Sequence, residues 1–260
     1  MHDSRPVGRR DALRYAAAVS ALAGLGVAST GRWAPTASAA APQLIDFAAR
    51  QIPAQHIRAA GYSGVVNYVS LSRPGSSFGA KPITRPYAES LTAAGLVIVS
   101  NYQYGKPGGT APSDFTRGYV GGVADARTAW QLHTAAGGGR SAPIFFTIDE
   151  DIDRSTWNSV ALQWFRGINS VLGVQRTGVY GGIDVCEWAA ADGVIGRSST
   201  PGRWWAWQTK AWSGNQVHPG AVLYQRVVST ASNPGPLVGG LEVDVNDVLA
   251  SDCGQWNLHP

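Results

Sequence analysis

Short apolar runs alternate with longer segments of helical periodicity through the middle of the chain. Leu44-Ile45-Asp46-Phe47 reads as a first strand, with a helix behind it from Pro53 to Ala60. Val65 to Val69 reads as a second strand, followed by a helix from Arg85 to Ala94 that stops at Gly95. Leu96 to Tyr102 and the helix Tyr119 to Ala136 make a third pair. The fourth pairs Pro143 to Asp149 with a helix capped at Ser155 and running to Leu172. Thr177 to Tyr180 and a short helix over Asp184 to Ala190 make the fifth. Beyond that point the helices thin out. Arg203 to Gln208, Ala221 to Gln225 and Leu241 to Asp244 read as strands joined by Gly/Pro/Ser loops. Strands alternating with helices predict a parallel sheet covered by helices. Eight of them predict an α/β TIM-like barrel, irregular in having five strand-helix units followed by three strands that lack full helices. An open doubly wound sheet is the alternative.

The ends of the chain read differently. Arg9-Arg10 opens a targeting pattern, and Ala16 to Ala28 follows without a charge. That stretch is shorter than the ~20 helical residues needed to cross a hydrocarbon core. Ala37-Ser38-Ala39 then gives a small-x-small cleavage site. Residues 1–40 are therefore expected to be a twin-arginine signal peptide, and 41–260 one barrel domain exported to the cell wall or the medium. No cysteine near the cut calls for a lipid anchor, and no repeat or Pro-rich linker marks a second domain.

Removing that segment changes the charge. Five of the 21 basic residues and two of the 17 acids lie before residue 40, so the net charge falls from +4 to +1. Such a balance gives no footprint for nucleic acid or an anionic membrane. Cys186 and Cys253 remain. Export makes a disulfide chemically possible, but two buried thiols are the simpler expectation.

Candidate chemistry gathers at the strand ends. Asp46, Asp149, Asp151 and Asp244 each follow an apolar run, and a carboxylate placed there is costly unless it is paired, hydrogen-bonded or used. In a barrel, that end of the strands is the functional face. The Gly- and Pro-rich loops Ser72 to Thr84 and Gly105 to Ser113 leave the same end. Within Ile148-Asp149-Glu150-Asp151, a period of two turns Asp149 and Asp151 the same way, Cα atoms ~6.5 Å apart if the strand continues. Two carboxyls in one pocket split their proton affinities, leaving a donor beside a charged acceptor. Glycosidic hydrolysis requires such a pair. Glu150 has the opposite parity but stands close enough to the mouth to compete with Asp151 as proton donor. Tyr68, Tyr102, Gln103, Tyr180, Gln208 and Gln225 close strands as well. Flat rings and two-pronged amides of this kind suit sugar faces and hydroxyls. Of the four tryptophans between Arg203 and Trp212, Trp204 and Trp205 are expected in the core, with Trp207 a candidate for the site.

Other chemistries leave no trace. The chain has no G-x-S-x-G elbow, P-loop or G-x-G-x-x-G turn. Its histidines are scattered, with no zinc-binding spacing. No cofactor is called for, and a Ca²⁺ or Mg²⁺ held by Asp149, Asp151 and Asp244 is a lesser alternative to a sugar site.

The order of these elements resembles a known group. Leu-Ile-Asp46, Ile-Asp149-Glu150-Asp151, Thr-Gly-Val-Tyr180, Trp-Gln208, Tyr-Gln225 and Val-Asp244-Val-Asn246 follow one another as in the twin-arginine-exported glycoside-hydrolase-like proteins related to the family 25 lysozymes. The phrases Ile-Arg-Ala-Ala-Gly61 and Tyr-Gln-Tyr-Gly-Lys106 carry the same likeness, which spans Leu44 to Trp256. The resemblance implies the irregular barrel described above. It also implies a carboxylate reaction centre on strand four, with aspartates on the first and last strands. Asp149 matches the first member of the lysozymes' D-x-E, whereas Asp151 stands in place of their Glu. The expected function is hydrolysis of a cell-envelope or extracellular polysaccharide, a peptidoglycan-type glycan being the natural partner. In that reading Asp149 stabilises, Asp151 or Glu150 donates the proton, and Asp46 and Asp244 set the electrostatics. A non-catalytic glycan-binding barrel is the rival.

Overall fold

The structure is a computed structural model that describes residues 41–76 and 78–256; the expected signal peptide, residues 1–40, lies outside the described residues. From Gln43 onward the alternation becomes a closed barrel. Strands β1 (Gln43–Asp46), β2 (Gly64–Tyr68), β3 (Val97–Tyr102), β4 (Ile144–Thr147), β5 (Thr177–Gly181), β6 (Ala206–Thr209) and β7 (Leu223–Val227) pair in sequence order, all parallel. β8 (Leu237–Val238) and β9 (Leu241–Glu242) form a small separate hairpin, and β10 (Asp244–Val248) closes the ring antiparallel to both β7 and β1.

This corrects the last strand. Leu241 to Asp244 was expected to be a barrel strand ending at Asp244, but the closing strand begins there. Gly239 and Gly240 both take positive φ, 56° and 74°, which is what a two-residue hairpin turn demands. Leu241 therefore folds back on Val238 and the barrel strand starts later. Because β10 runs against its neighbours, its first residue reaches the same barrel end as the last residues of the parallel strands. Asp46 pairs directly with Asp244.

The helices follow the first five strands. α1 (Ala54–Ala59), α2 (Arg85–Ala93) and α3 (Gly118–Ala135) come after β1, β2 and β3. After β4, α4 (Arg154–Thr156) passes through a π-turn at Trp157–Ala161 into α5 (Leu162–Leu172), and α6 (Ile183–Ala191) follows β5. The cap of the fourth unit is Asp153, two residues before the expected Ser155: its carboxylate accepts the Thr156 N–H at 2.7 Å. α3 and α5 cross closely at two glycines. A Cβ on Gly122 would lie 2.0 Å from the Trp164 carbonyl oxygen, and one on Gly167 2.1 Å from that of Tyr119.

Strand parity sorts the side chains. Ile45, Val65, Ile98, Ile144, Phe146 and Val179 pack outward against the helices. Leu44, Val66, Val99, Phe145 and Leu223 fill the barrel interior. Each such side chain adds ~1.5–3 kcal/mol when fully buried. Two residues further along the same strands the inward positions become Asp46, Tyr68, Asn101, Thr147 and Gln225, all facing one cavity. The barrel is thus plugged by apolar side chains below and polar at its mouth. Trp207 and Tyr180 form the boundary, ring centroids 4.4 Å apart. Cys186 and Cys253 are both free and buried, in different clusters.

Candidate active site

The mouth encloses a cavity of about 330 Å³. One wall is acidic. Asp46 ends β1 and Asp244 begins β10, and a single amide spans them: Gln225 Nε2 donates to Asp46 Oδ2 at 3.1 Å and to Asp244 Oδ2 at 3.0 Å. The amide cannot turn over freely, because its Oε1 accepts the Tyr180 hydroxyl at 2.7 Å. Asn246 Nδ2 donates a further bond to Asp46 Oδ2 at 2.7 Å, while its Oδ1 accepts the Trp207 indole N–H at 2.6 Å. Asp244 Oδ1 accepts the Ser229 backbone N–H at 2.7 Å. Asp149, just past β4, takes the Gln103 amide at 3.0 Å.

Burial dominates the proton affinities of this wall. It raises Asp46 to about 6, against the amides of Asn246 and Gln225, which favour the charge. It raises Asp244 to about 8, with the nearby Asp46 charge adding to the rise. Asp149 is also raised, by burial first, while Gln103, Lys106 and Lys81 hold it back. At neutral pH the Asp46–Asp244 pair therefore retains a proton that ordinary carboxylates would have lost.

Another part of the lining is basic. Arg73 and Lys81 come from the loop between β2 and α2, and Lys106 from the loop after β3. Lys81 Nζ sits 3.8 Å from the Tyr68 ring centroid and donates to the Gln103 carbonyl at 2.9 Å. Burial, and then the Arg73 charge, bring its ammonium down to about 7.

Of the residues expected from sequence, Asp46, Asp149, Asp244, Tyr68, Gln103, Tyr180, Trp207 and Gln225 line this cavity. Tyr102, Gln208, Glu150 and Asp151 do not. Tyr102 has the outward parity of β3, and its hydroxyl donates to Asp125 Oδ1 at 2.6 Å. Gln208 points outward from β6, donating to the Gln216 carbonyl and accepting the His218 N–H. The Asp149–Asp151 pairing assumed a continuing strand, but β4 stops at Thr147. Released from the alternation, Glu150 and Asp151 turn to a separate shallow groove beside Phe115 and Thr116. Trp205 is buried as expected, whereas Trp204 is half-buried. Among the described residues, no three or more His, Cys, Asp or Glu side chains are arranged to hold a metal ion.

Sequence reasoning missed Asn101, Thr147, Asn246, Arg73, Lys81 and Lys106. The first three share inward parity with recognised residues, so the period-two argument could have found them. The cations lie in or beside the two loops already marked as leaving the functional face, but nothing local turns their side chains inward.

A closed barrel of eight strands with carboxyls and amides gathered at one mouth defines the glycoside-hydrolase-like class of α/β barrels. The model of the Rv2525c-like, glycoside hydrolase-like domain matches residues 55–248, and the chain belongs to that family. A Mycobacterium tuberculosis relative, Rv2525c, whose name marks it as a candidate peptidoglycan hydrolase, is 42% identical over 254 residues, covering 96% of this chain and 99% of its own. A crystal structure of that Tat-secreted protein with L-tartrate superposes with a TM-score of 0.74 at 40% identity, covering 83% of this chain and 98% of the other. The bacterial lysozyme of Streptomyces coelicolor shares the fold at a TM-score of 0.51 and 15% identity, covering 82% and 94% of the two chains.

Proposed function

We propose that this protein is an exported glycoside hydrolase of cell-wall glycan, with peptidoglycan as substrate. The observation that carries the reading is the Asp46–Gln225–Asp244 bridge facing Asp149 across one cavity. Hydrolysis needs a proton for the leaving oxygen and a charge for the oxocarbenium-like transition state. Asp244, with its pKa pushed up to about 8, holds a proton at pH 7, and Asp46, at about 6, is charged beside it. Asp244 is accordingly the proton donor, and Asp149, kept in place by Gln103, the stabilising carboxylate. Tyr68, Tyr180 and Trp207 line the cavity beside these carboxyls. The Tat-secreted relative and the twin-arginine pattern of residues 1–40 support export, and the relative's name supports the substrate.

The test is mass spectrometry of defined cell-wall glycans incubated with the purified barrel, beside Asp149→Asn. New fragments made only by the unaltered protein uphold the proposal and identify the bond. Intact glycan from both proteins sinks it. One observation favours a second reading, a glycan-binding barrel without turnover: Asp151, at the position of the lysozymes' second acid, faces away from the cavity. Tight glycan binding with no cleavage is the outcome that selects it.

A further inference from the structure

The hydrolytic reading uses the acidic wall of the cavity and leaves the basic wall without a task. Arg73 is buried, and its guanidinium donates to the Tyr104 carbonyl at 3.1 Å. Lys81 is held by the Gln103 carbonyl and the Tyr68 ring. Lys106 is exposed at the rim. Among the described residues, none of the three forms an ion pair. The acids within electrostatic reach of Lys81 are Asp149 and Asp114. Asp149 takes its hydrogen bond from Gln103, and Asp114 takes the backbone N–H groups of Tyr104 and Gly105. Those last bonds pin the backbone that presents Gln103 and Lys106. Buried cations without a counter-ion are costly, and here they line an open cavity, where a ligand can supply the missing charge.

Building on the hydrolase reading of this site, we infer that the Arg73–Lys81–Lys106 wall is an oxyanion subsite, so that the sugar seated against it carries a free carboxylate or phosphate. A neutral sugar leaves Lys81 desolvated and unpaired, and the cavity discriminates against it for that reason. The two walls divide the labour: the acids act on the glycosidic oxygen while the cations fix which sugar lies beside it.

The experiment is NMR titration of the barrel with three monosaccharides: glucuronate, its neutral carboxamide and glucose 6-phosphate. None has a glycosidic bond to cut, so binding is read apart from turnover. The expected result is that at least one anionic sugar binds ~10-fold or more tightly than the carboxamide, the scale of a charge-assisted hydrogen bond. Lys81→Met and Lys106→Gln should each weaken that preference, and the double variant should remove it. Lys106 is exposed, so its variant folds even if the Lys81 variant does not. A lead for glucuronate assigns a carboxylate, and a lead for glucose 6-phosphate assigns a phosphate; either upholds the subsite. Equal binding of charged and neutral sugars, no binding at millimolar concentration, or a preference that survives the double variant overturns it. A barrel that cuts no glycan yet keeps the preference sinks the hydrolase reading and leaves the subsite standing.

Discussion

Two groups of buried carboxyls lie on opposite sides of the same barrel wall. Outside it, Asp125 on α3 accepts the Tyr102 hydroxyl and the Trp164 indole N–H, and both of its oxygens meet the Arg117 guanidinium. Inside it, Asp46, Asp244 and Asp149 receive only amides and a backbone N–H, with no cation in ion-pair contact among the described residues. Residue type is the same in both places and burial is similar. The partners differ. The Asp125 carboxylate is met by an arginine and two fixed donors, and it ties β3 and α5 to α3. Burial among dipoles with no counter-charge in contact raises all three inner carboxyls, Asp46 to about 6 and Asp244 to about 8, which is what acid–base chemistry needs.

The sharpest way to break this comparison is to remove one carboxylate from each side. Asp149→Asn or Asp244→Asn should lower glycan cleavage by roughly 10²–10⁴-fold while the folded protein keeps its far-UV circular dichroism. Cleavage that survives both substitutions would put the chemistry elsewhere. Asp125→Asn should do the reverse. It sets an amide N–H against the Tyr102 or Trp164 donor and should cost about 2 kcal/mol in urea unfolding. The lost Arg117 contact adds little to this, since that side chain is 41% exposed. Cleavage by the surviving folded fraction should not change.

A second test reads the same difference through pH. Asp46 and Asp244 have raised pKa values, about 6 and about 8. Below about pH 3 both are protonated in the folded and unfolded chains and contribute no difference. As pH rises from 4 to 8 the unfolded chain ionises first, so the folded state loses stability, and above 8 the loss is complete. Unfolding midpoints should therefore fall steadily over this range. Asp244→Asn should flatten the slope. A variant with an unaltered slope would show that the pair does not carry the retained proton.

Much of this arrangement was legible in the sequence because it follows from periodicity. The five strand-helix units, the first seven barrel strands and the inward side chains Asp46, Tyr68, Tyr180 and Gln225 all follow from where apolar runs stop. The failures came where periodicity ends. Asp151 was placed by extending β4 four residues past its end at Thr147. Tyr102 and Gln208 were grouped with Tyr180 and Gln225 by residue type, although parity puts them on the outer face. The antiparallel start of β10 depended on a Gly-Gly turn that reads as an ordinary loop. The basic wall depended on loops whose shape is set by tertiary contacts, such as Asp114 binding the Tyr104 and Gly105 N–H groups.

Parity also yields the smallest and most exacting prediction, a pair of single-oxygen deletions. Tyr102→Phe removes a hydroxyl that serves only Asp125, so it should cost about 1 kcal/mol of stability and leave the pH profile of cleavage where it was. Tyr180→Phe removes a hydroxyl of the same kind from the inner face, at a similar cost in stability. Its loss frees Gln225 Oε1, the atom that fixes which end of the amide faces Asp46 and Asp244. Once the amide is free to turn, its carbonyl can lie against the two carboxyls, and the donor that favours the charged form of Asp46 is withdrawn. The ionisation of Asp46 then moves to higher pH, and the ascending limb of the pH–rate profile should move with it. Equal shifts in both variants, or none in Tyr180→Phe, would mean that the Gln225 bridge does not set the protonation of the pair.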